Sequence, residues 1–220
     1  MSLVTTEIDH THQIQLRIPE PFYNDKPLFL LAHGSGNNMD SPFMETLAKG
    51  IHGESVNVVR FNFPYAMAGK KVPDSGPTLT NAWRMAISWC KQNLKYSQLF
   101  IGGKSMGGRV ATMVARDVKD LRGMIFLGYP LHAPGKYDNI RDEYFSESTA
   151  PMLFVQGTRD AFARMDLLQG AISNFRERVT LHWVEGGDHS FKVLVRQGTS
   201  YPETLDRVAL LVKEWIEKHA

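Results

Sequence analysis

Apolar runs of strand length recur along the chain and alternate with segments in which apolar residues follow a helical spacing. Short continuous runs that are rich in β-branched and aromatic residues are typical of strands buried on both faces, as in a parallel sheet. These runs predict strands at residues 28–32, 56–61, 99–102, 123–127, 152–156 and 179–184. Residues 13–18 alternate polar and apolar positions instead, which predicts a more exposed edge strand.

Helical segments lie between the predicted strands. Ser41 and Pro42 predict one helix start, because serine favours the N-cap and proline the first helical position. Further helices are predicted at residues 78–94, 105–118, 161–175 and 204–219. Strands that alternate with helices of this length indicate an α/β fold, a doubly wound and mostly parallel sheet with helices on both faces.

Two connections interrupt the alternation: residues 63–77 are rich in proline and glycine, and residues 128–150 form a long segment. Both follow predicted strands, where open α/β sheets place their binding crevices. Neither is long enough for a separate domain. We therefore expect residues 1–220 to form a single domain with at most a small lid.

Charge and composition narrow the function classes. The formal net charge is +2, and both signs are scattered along the chain, so no basic face for nucleic acid is indicated. The pair Lys70 and Lys71 is expected in a solvated loop. The single cysteine, Cys90, excludes an internal disulfide and is expected in the core. Residues 1–12 lack the apolar core of a signal peptide, and no apolar run approaches the roughly 18 residues that cross a bilayer, so a cytoplasmic protein without membrane contact is expected.

The strongest local motif is Gly103-Lys104-Ser105-Met106-Gly107, which follows a predicted strand and precedes a predicted helix. This is the glycine–x–serine–x–glycine nucleophile elbow in its required strand–turn–helix context. The serine occupies a strained turn, and side chains larger than glycine on either side would collide with adjacent backbone. The motif predicts Ser105 as a nucleophile at a helix N-terminus that directs N–H groups toward the reacting centre.

A second glycine-containing motif, His33-Gly34-Ser35-Gly36, directly follows the strand at residues 28–32. A loop at this place can supply one backbone N–H of an oxyanion hole, and the N–H of Met106 would supply the other. The sequence leaves the choice of loop donor open between Ser35 and Gly36. His33 is expected to hold the loop by hydrogen bonds rather than to act as a base.

An acid and a histidine follow two later strands. Asp160 comes just after residues 152–156, and His189 lies in a glycine-containing loop after residues 179–184. The order serine, acid, histidine is that of α/β hydrolases, and three strand ends can bring these side chains together. The alternative acid, Asp188, is less favoured because a residue adjacent to the histidine in an extended loop usually points elsewhere.

The sequence has other histidines, and it lacks the common metal and cofactor motifs. His132 follows a strand at the same predicted sheet edge, and its role stays open between lining the pocket and holding the structure. Surface or packing roles suffice for the histidines outside the motifs, which are His10, His12, His52, His182 and His219. HExxH, paired cysteines, GxGxxG and the P-loop are all missing from the sequence, so neither a metal nor a cofactor is expected.

With these residues, the chain resembles the α/β-hydrolase superfamily over almost its whole length. More narrowly, it resembles small bacterial predicted hydrolases related to dienelactone hydrolases and to eukaryotic KAN-type hydrolase-like proteins. The resemblance implies a Ser105–Asp160–His189 triad, and it implies that Lys104, Arg109, Asn62 and His132 shape the site. It is carried by the stretches at residues 31–36, 60–65, 102–109, 128–132, 154–160 and 187–191.

Motifs and resemblance together predict a serine hydrolase that cleaves a small ester through an acyl-enzyme intermediate. Dienelactone hydrolases use cysteine at the position of Ser105, so their substrate does not carry over. Acyl transfer, and thioester or peptide cleavage, use the same machinery and stay open. A binding or scaffold protein on a hydrolase fold is the competing class, since some eukaryotic relatives resemble interaction subunits.

Overall fold

The structure is a computed structural model that describes residues 1–7 and 13–220. In these residues eight strands form one sheet in the order β1-β2-β4-β3-β5-β6-β7-β8. Strands β1 and β2 are antiparallel to their neighbours, and the pairs from β4 to β8 are all parallel. The strands are β1 (Ser2–Glu7), β2 (Gln13–Ile18), β3 (Leu28–Ala32), β4 (Asn57–Asn62), β5 (Leu99–Lys104), β6 (Leu121–Leu127), β7 (Met152–Gly157) and β8 (Val179–Val184).

Helices cover both faces of this sheet. They are α1 (Pro42–Ile51), α2 (Pro64–Met67), α3 (Gly76–Asn93), α4 (Met106–Val114), α5 (Met165–Ile172) and α6 (Tyr201–His219). Helices α1 and α6 bury their apolar sides on one face, and α3, α4 and α5 bury theirs on the other. Each of the two helix layers packs a tryptophan on the sheet. Trp83 of α3 packs edge-on against Phe61, and Trp215 of α6 packs edge-on against Phe100. The predicted α/β fold class, with helices on both faces, is confirmed.

The central strands explain the continuous apolar runs of the sequence. Every residue of β3, β4, β5 and β7 is buried, because helices cover both of their faces. Parallel pairing aligns the carboxyl ends of β3, β5, β6, β7 and β8 along one edge of the sheet. The loops that follow these strand ends carry the candidate site residues.

Two strand assignments need correction. Residues 13–18 do form a strand, but β1 pairs with it along its whole length, so the second strand lies inside the sheet and β1 is the edge. Residues 179–184, predicted to be buried on both faces, form the opposite edge strand, where Thr180 and His182 are exposed. Sheet edges are set by long-range pairing, which the local apolar pattern does not encode.

Helix bounds and connections differ less. Helix α5 begins at Met165 rather than at residue 161, because residues 160–163 form a turn in which the Ala163 N–H bonds the Asp160 carbonyl (3.2 Å). The connection at residues 128–150 contains turns but neither helix nor strand, so no lid is evident. None of the helices in the described ranges combines the length and apolarity needed to span a bilayer. The expectations for His10 and His12 lie outside the described residues.

Candidate active site

Ser105 lies in the sharp turn between β5 and α4, with φ 49° and ψ −117°. A non-glycine residue with positive φ costs on the order of 1–3 kcal/mol, and such strain is typical of functional turns. Two backbone hydrogen bonds hold it: the Ser105 N–H donates to Leu127 O (3.2 Å), and its carbonyl accepts from the Arg109 N–H (3.0 Å). The hydroxyl is thereby held above the carboxyl end of the sheet.

Glycine is required on both sides of this serine. A Cβ at Gly103 would lie 2.3 Å from the carbonyl oxygen of Ala32, and one at Gly107 would lie 2.6 Å from the carbonyl oxygens of Ala32 and His33. Heavy atoms do not approach this closely, so any larger residue would push the turn away from β3. The two glycines therefore set the close packing of the turn on the end of β3.

The side chains of Ser105, His189 and Asp160 form a continuous hydrogen-bonded chain. His189 Nε2 lies 2.9 Å from Ser105 Oγ, and His189 Nδ1 lies 2.7 Å from Asp160 Oδ2. With its proton on Nδ1, the ring donates to the carboxylate and accepts the serine hydroxyl at Nε2. The Asp160 carboxylate is fully buried, whereas 22% of the His189 side chain is exposed. A substrate could therefore reach the histidine but not the acid.

Neighbouring groups fix the orientation of the Asp160 carboxylate. It accepts hydrogen bonds from the Phe162 N–H (2.8 Å) and from the side-chain amide of Gln156, in addition to the one from His189. Gln156 is itself oriented by accepting the Tyr129 N–H (2.8 Å). The Phe162 ring also packs on the His189 imidazole, with centroids 4.4 Å apart. Gln156 and Phe162 had no assigned role from the sequence; the only signal was a polar residue at the end of a buried strand.

Asp188 has a different task from Asp160. Its Oδ1 accepts the backbone N–H groups of Ser190 (2.8 Å) and Lys192 (2.9 Å), and its own N–H donates to Lys192 O (3.0 Å). These bonds fold residues 186–192, here called the His189 loop, into a tight turn. Asp160 is therefore the acid that bonds the His189 imidazole, and Asp188 is the acid that holds the turn of the His189 loop.

The loop after β3 passes beside the serine. A Cβ at Gly34 would lie 3.4 Å from Ser105 Cβ. Among residues 1–7 and 13–220, no backbone carbonyl accepts the N–H of Ser35, Gly36 or Met106. The Gly36 N–H instead faces the Tyr65 hydroxyl oxygen. The N–H groups of Ser35 and Met106 are therefore available to an oxygen placed above Ser105, whereas the Gly36 N–H would have to leave the Tyr65 hydroxyl.

His33 is buried beneath this loop. Its Nε2 accepts the Phe63 N–H (3.2 Å), and its Nδ1 lies 2.8 Å from the carbonyl oxygen of Gly34. Burial lowers the pKa of His33 to about 4, so the ring is neutral near pH 7. The structure gives His33 the loop-holding contacts that the sequence suggested.

The residues that the resemblance assigned to the substrate pocket make mainly internal contacts. Asn62 Oδ1 accepts the Met39 N–H (2.7 Å), which ties the end of β4 to the loop after β3. His132 is buried, with Nδ1 3.0 Å from Ala133 O and Nε2 accepting the Arg164 N–H (2.9 Å). Both side chains thus hold loops together.

Lys104 and Arg109 complete this set. Lys104 is buried, and its ammonium donates to the carbonyl oxygen of His189, so it supports the His189 loop from inside. Arg109 lies one helical turn after Ser105, 3.8 Å from the Glu143 carboxylate, and 32% of its side chain is exposed. Its Nε is buried and has no partner in the described part of the chain. Arg109 thus keeps a buried, unused N–H donor within the helix that begins directly after Ser105.

In the described ranges, no group of three or more histidine, cysteine, aspartate or glutamate side chains is arranged to hold a metal ion. Cys90 is buried in the core, and burial raises the pKa of its thiol. The chemistry that the hydrogen-bond geometry supports is that of a serine hydroxyl bonded to a histidine, beside the backbone N–H groups of Ser35 and Met106.

The doubly wound sheet and the serine elbow define an α/β hydrolase. The chain belongs to the family described as "Alpha/beta hydrolase domain", whose sequence model matches residues 25–217.

Solved structures share the fold. An alpha-beta serine hydrolase homologue from Coxiella burnetii is 19% identical, with a TM-score of 0.74 and coverage of 97% of this chain and 96% of that one. Est1E from Butyrivibrio proteoclasticus with bound ferulic acid is 14% identical, with a TM-score of 0.79 and coverage of 97% and 98%. A dienelactone hydrolase from Anabaena variabilis is 17% identical, with a TM-score of 0.73 and coverage of 99% and 97%. At these identities the likeness establishes a common fold and not a common substrate.

Proposed function

We propose that this chain is a serine hydrolase that cleaves small esters through an acyl-enzyme intermediate. The observation that carries the proposal is the unbroken chain from Asp160 through His189 to Ser105, with hydrogen bonds of 2.7 and 2.9 Å. Each side chain comes from a different strand end, so the fold itself assembles the group. The proposed reaction uses groups of the protein, the ester substrate and one water molecule.

In the first step, His189 Nε2 takes the proton of the Ser105 hydroxyl while Oγ attacks the ester carbonyl carbon. Asp160 holds the ring and stabilises the imidazolium that forms. The carbonyl oxygen becomes an oxyanion and accepts hydrogen bonds from the Met106 N–H and from the N–H of Ser35 or Gly36. Donors of this kind contribute about 3–4 kcal/mol each in comparable sites.

Collapse of this intermediate breaks the ester C–O bond, and His189 gives its Nε2 proton to the departing alkoxide. The acyl group then remains on Ser105. A water molecule attacks the acyl carbon while His189 again accepts a proton, and the second collapse releases the carboxylic acid and restores the serine hydroxyl. The two half-reactions need the same geometry, so one arrangement of side chains serves both.

A small substrate fits the surroundings of the site. Residues 128–150 form turns without a helix or strand, which leaves little protein to enclose a long acyl chain. Among the similar structures, one holds ferulic acid and one is a dienelactone hydrolase. Both are named for compact ligands or substrates, which favours short-chain or small esters here.

We also propose that this reaction takes place in the cytoplasm.

The test is labelling with a fluorophosphonate probe, read by intact mass, on wild type, Ser105→Ala and the control Ser146→Ala. Ser146 is exposed, so its removal matches the loss of one hydroxyl without touching the site. We expect one adduct on wild type and on the control and none on Ser105→Ala, whose p-nitrophenyl acetate turnover should fall about 10⁴- to 10⁶-fold. Turnover retained by Ser105→Ala would refute the mechanism. A folded wild type that takes no label would favour a binding protein.

A further inference from the structure

Lys104, the residue before Ser105, has a side chain buried beneath the His189 loop. Only 8% of the residue is exposed, and its ammonium donates a hydrogen bond to the carbonyl oxygen of His189. The same nitrogen lies 5.6 Å from the ring centroid of Phe43 and 5.8 Å from that of Phe191. One carbonyl and two aromatic faces therefore surround it.

This arrangement is costly for a charged group. Burial lowers the pKa of Lys104 to about 8, against the opposing attraction of Asp160 and Asp188. Within the described ranges, no carboxylate lies within ion-pair distance of its ammonium. An apolar side chain of similar length would fill the same space without this cost. Packing alone therefore does not account for an ammonium at this position.

The backbone on both sides of the contact between Lys104 Nζ and the His189 carbonyl oxygen has an unusual conformation or close packing. A Cβ at Gly128 would lie 2.7 Å from Lys104 Nζ and 2.9 Å from His189 O, so only glycine leaves room for the two atoms to meet. On the other side, Phe191 is fully buried with φ 66°, a backbone conformation that bulky residues rarely adopt. The His189 loop is thus held in a strained shape against the lysine.

We propose that Lys104 is a positioning residue that sets the distance between the imidazole of His189 and the hydroxyl of Ser105. It joins the backbone immediately before the serine to the backbone carbonyl of the histidine, so the two reacting side chains share one internal brace. The effect of this contact on catalysis rests on the proposed function, whereas its effect on the position of the His189 ring does not depend on that function.

The first arm compares Lys104→Met with Lys192→Met by the kinetics of fluorophosphonate labelling. Methionine keeps the apolar stem but removes the donor and the charge. Lys192 is the control: it is an exposed lysine of the same loop, and its ammonium lies 5.5 Å from the ring centroid of Tyr201 instead of on the His189 carbonyl. Because misplacement by about 1 Å can cost 10²-fold, the maximal labelling rate of Lys104→Met should fall about 10- to 100-fold. The probe concentration at half-maximal rate should not change.

The second arm reads the ring directly. We expect the proton on His189 Nδ1, which is bonded to Asp160, to give a downfield proton NMR resonance in the unlabelled protein. This resonance can be read whether or not Ser105 reacts with the probe. We expect this resonance to shift or broaden in folded Lys104→Met and to stay unchanged in Lys192→Met. A purely structural lysine would lower the unfolding temperature without moving either the resonance or the maximal labelling rate.

A third variant protects the test against a failure of Lys104→Met to fold. Lys104→Arg keeps the charge and the donor but displaces the donor, so an intermediate labelling rate is expected. Wild-type labelling and an unmoved resonance in the folded variants would overturn the proposal. If wild type itself resists the probe, the hydrolase function fails while the resonance still decides whether Lys104 positions the ring.

Discussion

Two loops at the same edge of the sheet each carry a histidine, and the structure uses them differently. His132 follows β6, and both of its ring nitrogens lie against backbone groups, Ala133 O and the Arg164 N–H. His189 follows β8, and both of its ring nitrogens lie against side chains, Asp160 and Ser105. The two rings have similar places in the fold and opposite kinds of partner.

The kind of partner decides what each ring can do. A backbone N–H cannot give up its proton to Nε2, so His132 can hold two loops together but cannot exchange a proton without losing those bonds. A serine hydroxyl can give up its proton, and a carboxylate can stabilise the resulting imidazolium. A histidine at a strand end is therefore a base only when its acceptor nitrogen faces an ionisable donor.

The largest effect should separate the two acids near His189. Asp160→Asn should lower the labelling rate of Ser105 by about 10⁴-fold, because an amide no longer holds the Nδ1–H tautomer or stabilises the imidazolium. Asp188→Asn is the matched change. An asparagine oxygen can still accept the Ser190 and Lys192 N–H groups that Asp188 now accepts, so a change within about threefold is expected. Both rates come from intact mass against time.

The comparison would fail in a recognisable way. If Asp188→Asn lost activity to the same extent as Asp160→Asn, while both proteins unfolded near the wild-type temperature, the assignment of the acid from geometry would be wrong. If neither change mattered, His189 would not act as a base.

The parts of this molecule that local sequence encodes were predictable. The apolar runs located the strands at residues 28–32 and 179–184 with the bounds that the structure has, because short runs rich in apolar and β-branched residues favour extended backbone. The neighbours of each strand were not predictable in the same way. Strand β1 pairs with residues 13–18, and β8 has a neighbour on one side only. Both facts depend on pairing between segments that are distant in the sequence.

The residues of the candidate site also fall into a part that local sequence predicts and a part that it does not. The turn around Ser105 could be predicted because backbone geometry requires glycines within a few residues of the serine. The support of Asp160 by Gln156, and of the His189 loop by Lys104, joins residues whose contact depends on the folded sheet; Lys104 and His189 are 85 positions apart. The local sequence around Gln156 and Lys104 does not show whether these side chains hold other site residues in place or line a substrate pocket.

A smaller effect concerns His33, the third histidine at this edge. Its pKa is lowered by burial to about 4, against about 6.5 in the unfolded chain, so the unfolded state takes up a proton first as the pH falls. Its contribution to stability is therefore complete above pH 6.5 and is lost as the pH falls toward 4. The loss between pH 7 and pH 4.5 should reach about 2–3 kcal/mol.

Urea unfolding of wild type and His33→Gln at both pH values isolates this contribution. Glutamine does not titrate but can still accept the Phe63 N–H, so the variant should lose less stability than wild type on acidification. The other histidines with lowered pKa values, His52 and His182, are present in both proteins and cancel in the difference. Equal losses in the two proteins would mean that His33 is not the buried neutral group described here.

The smallest effect returns to His132 and bears most directly on the contrast with His189. His132→Phe keeps a flat ring but leaves the Arg164 N–H and the Ala133 carbonyl without their partner, which should cost about 1–2 kcal/mol of unfolding free energy. The labelling rate of Ser105 in the folded variant should stay within about threefold of wild type, since no proton passes through this ring. Urea unfolding and intact-mass kinetics on one preparation measure both quantities. A large fall in labelling with unchanged stability would make His132 part of the reacting group and would remove the distinction between backbone-bound and side-chain-bound histidines in this fold.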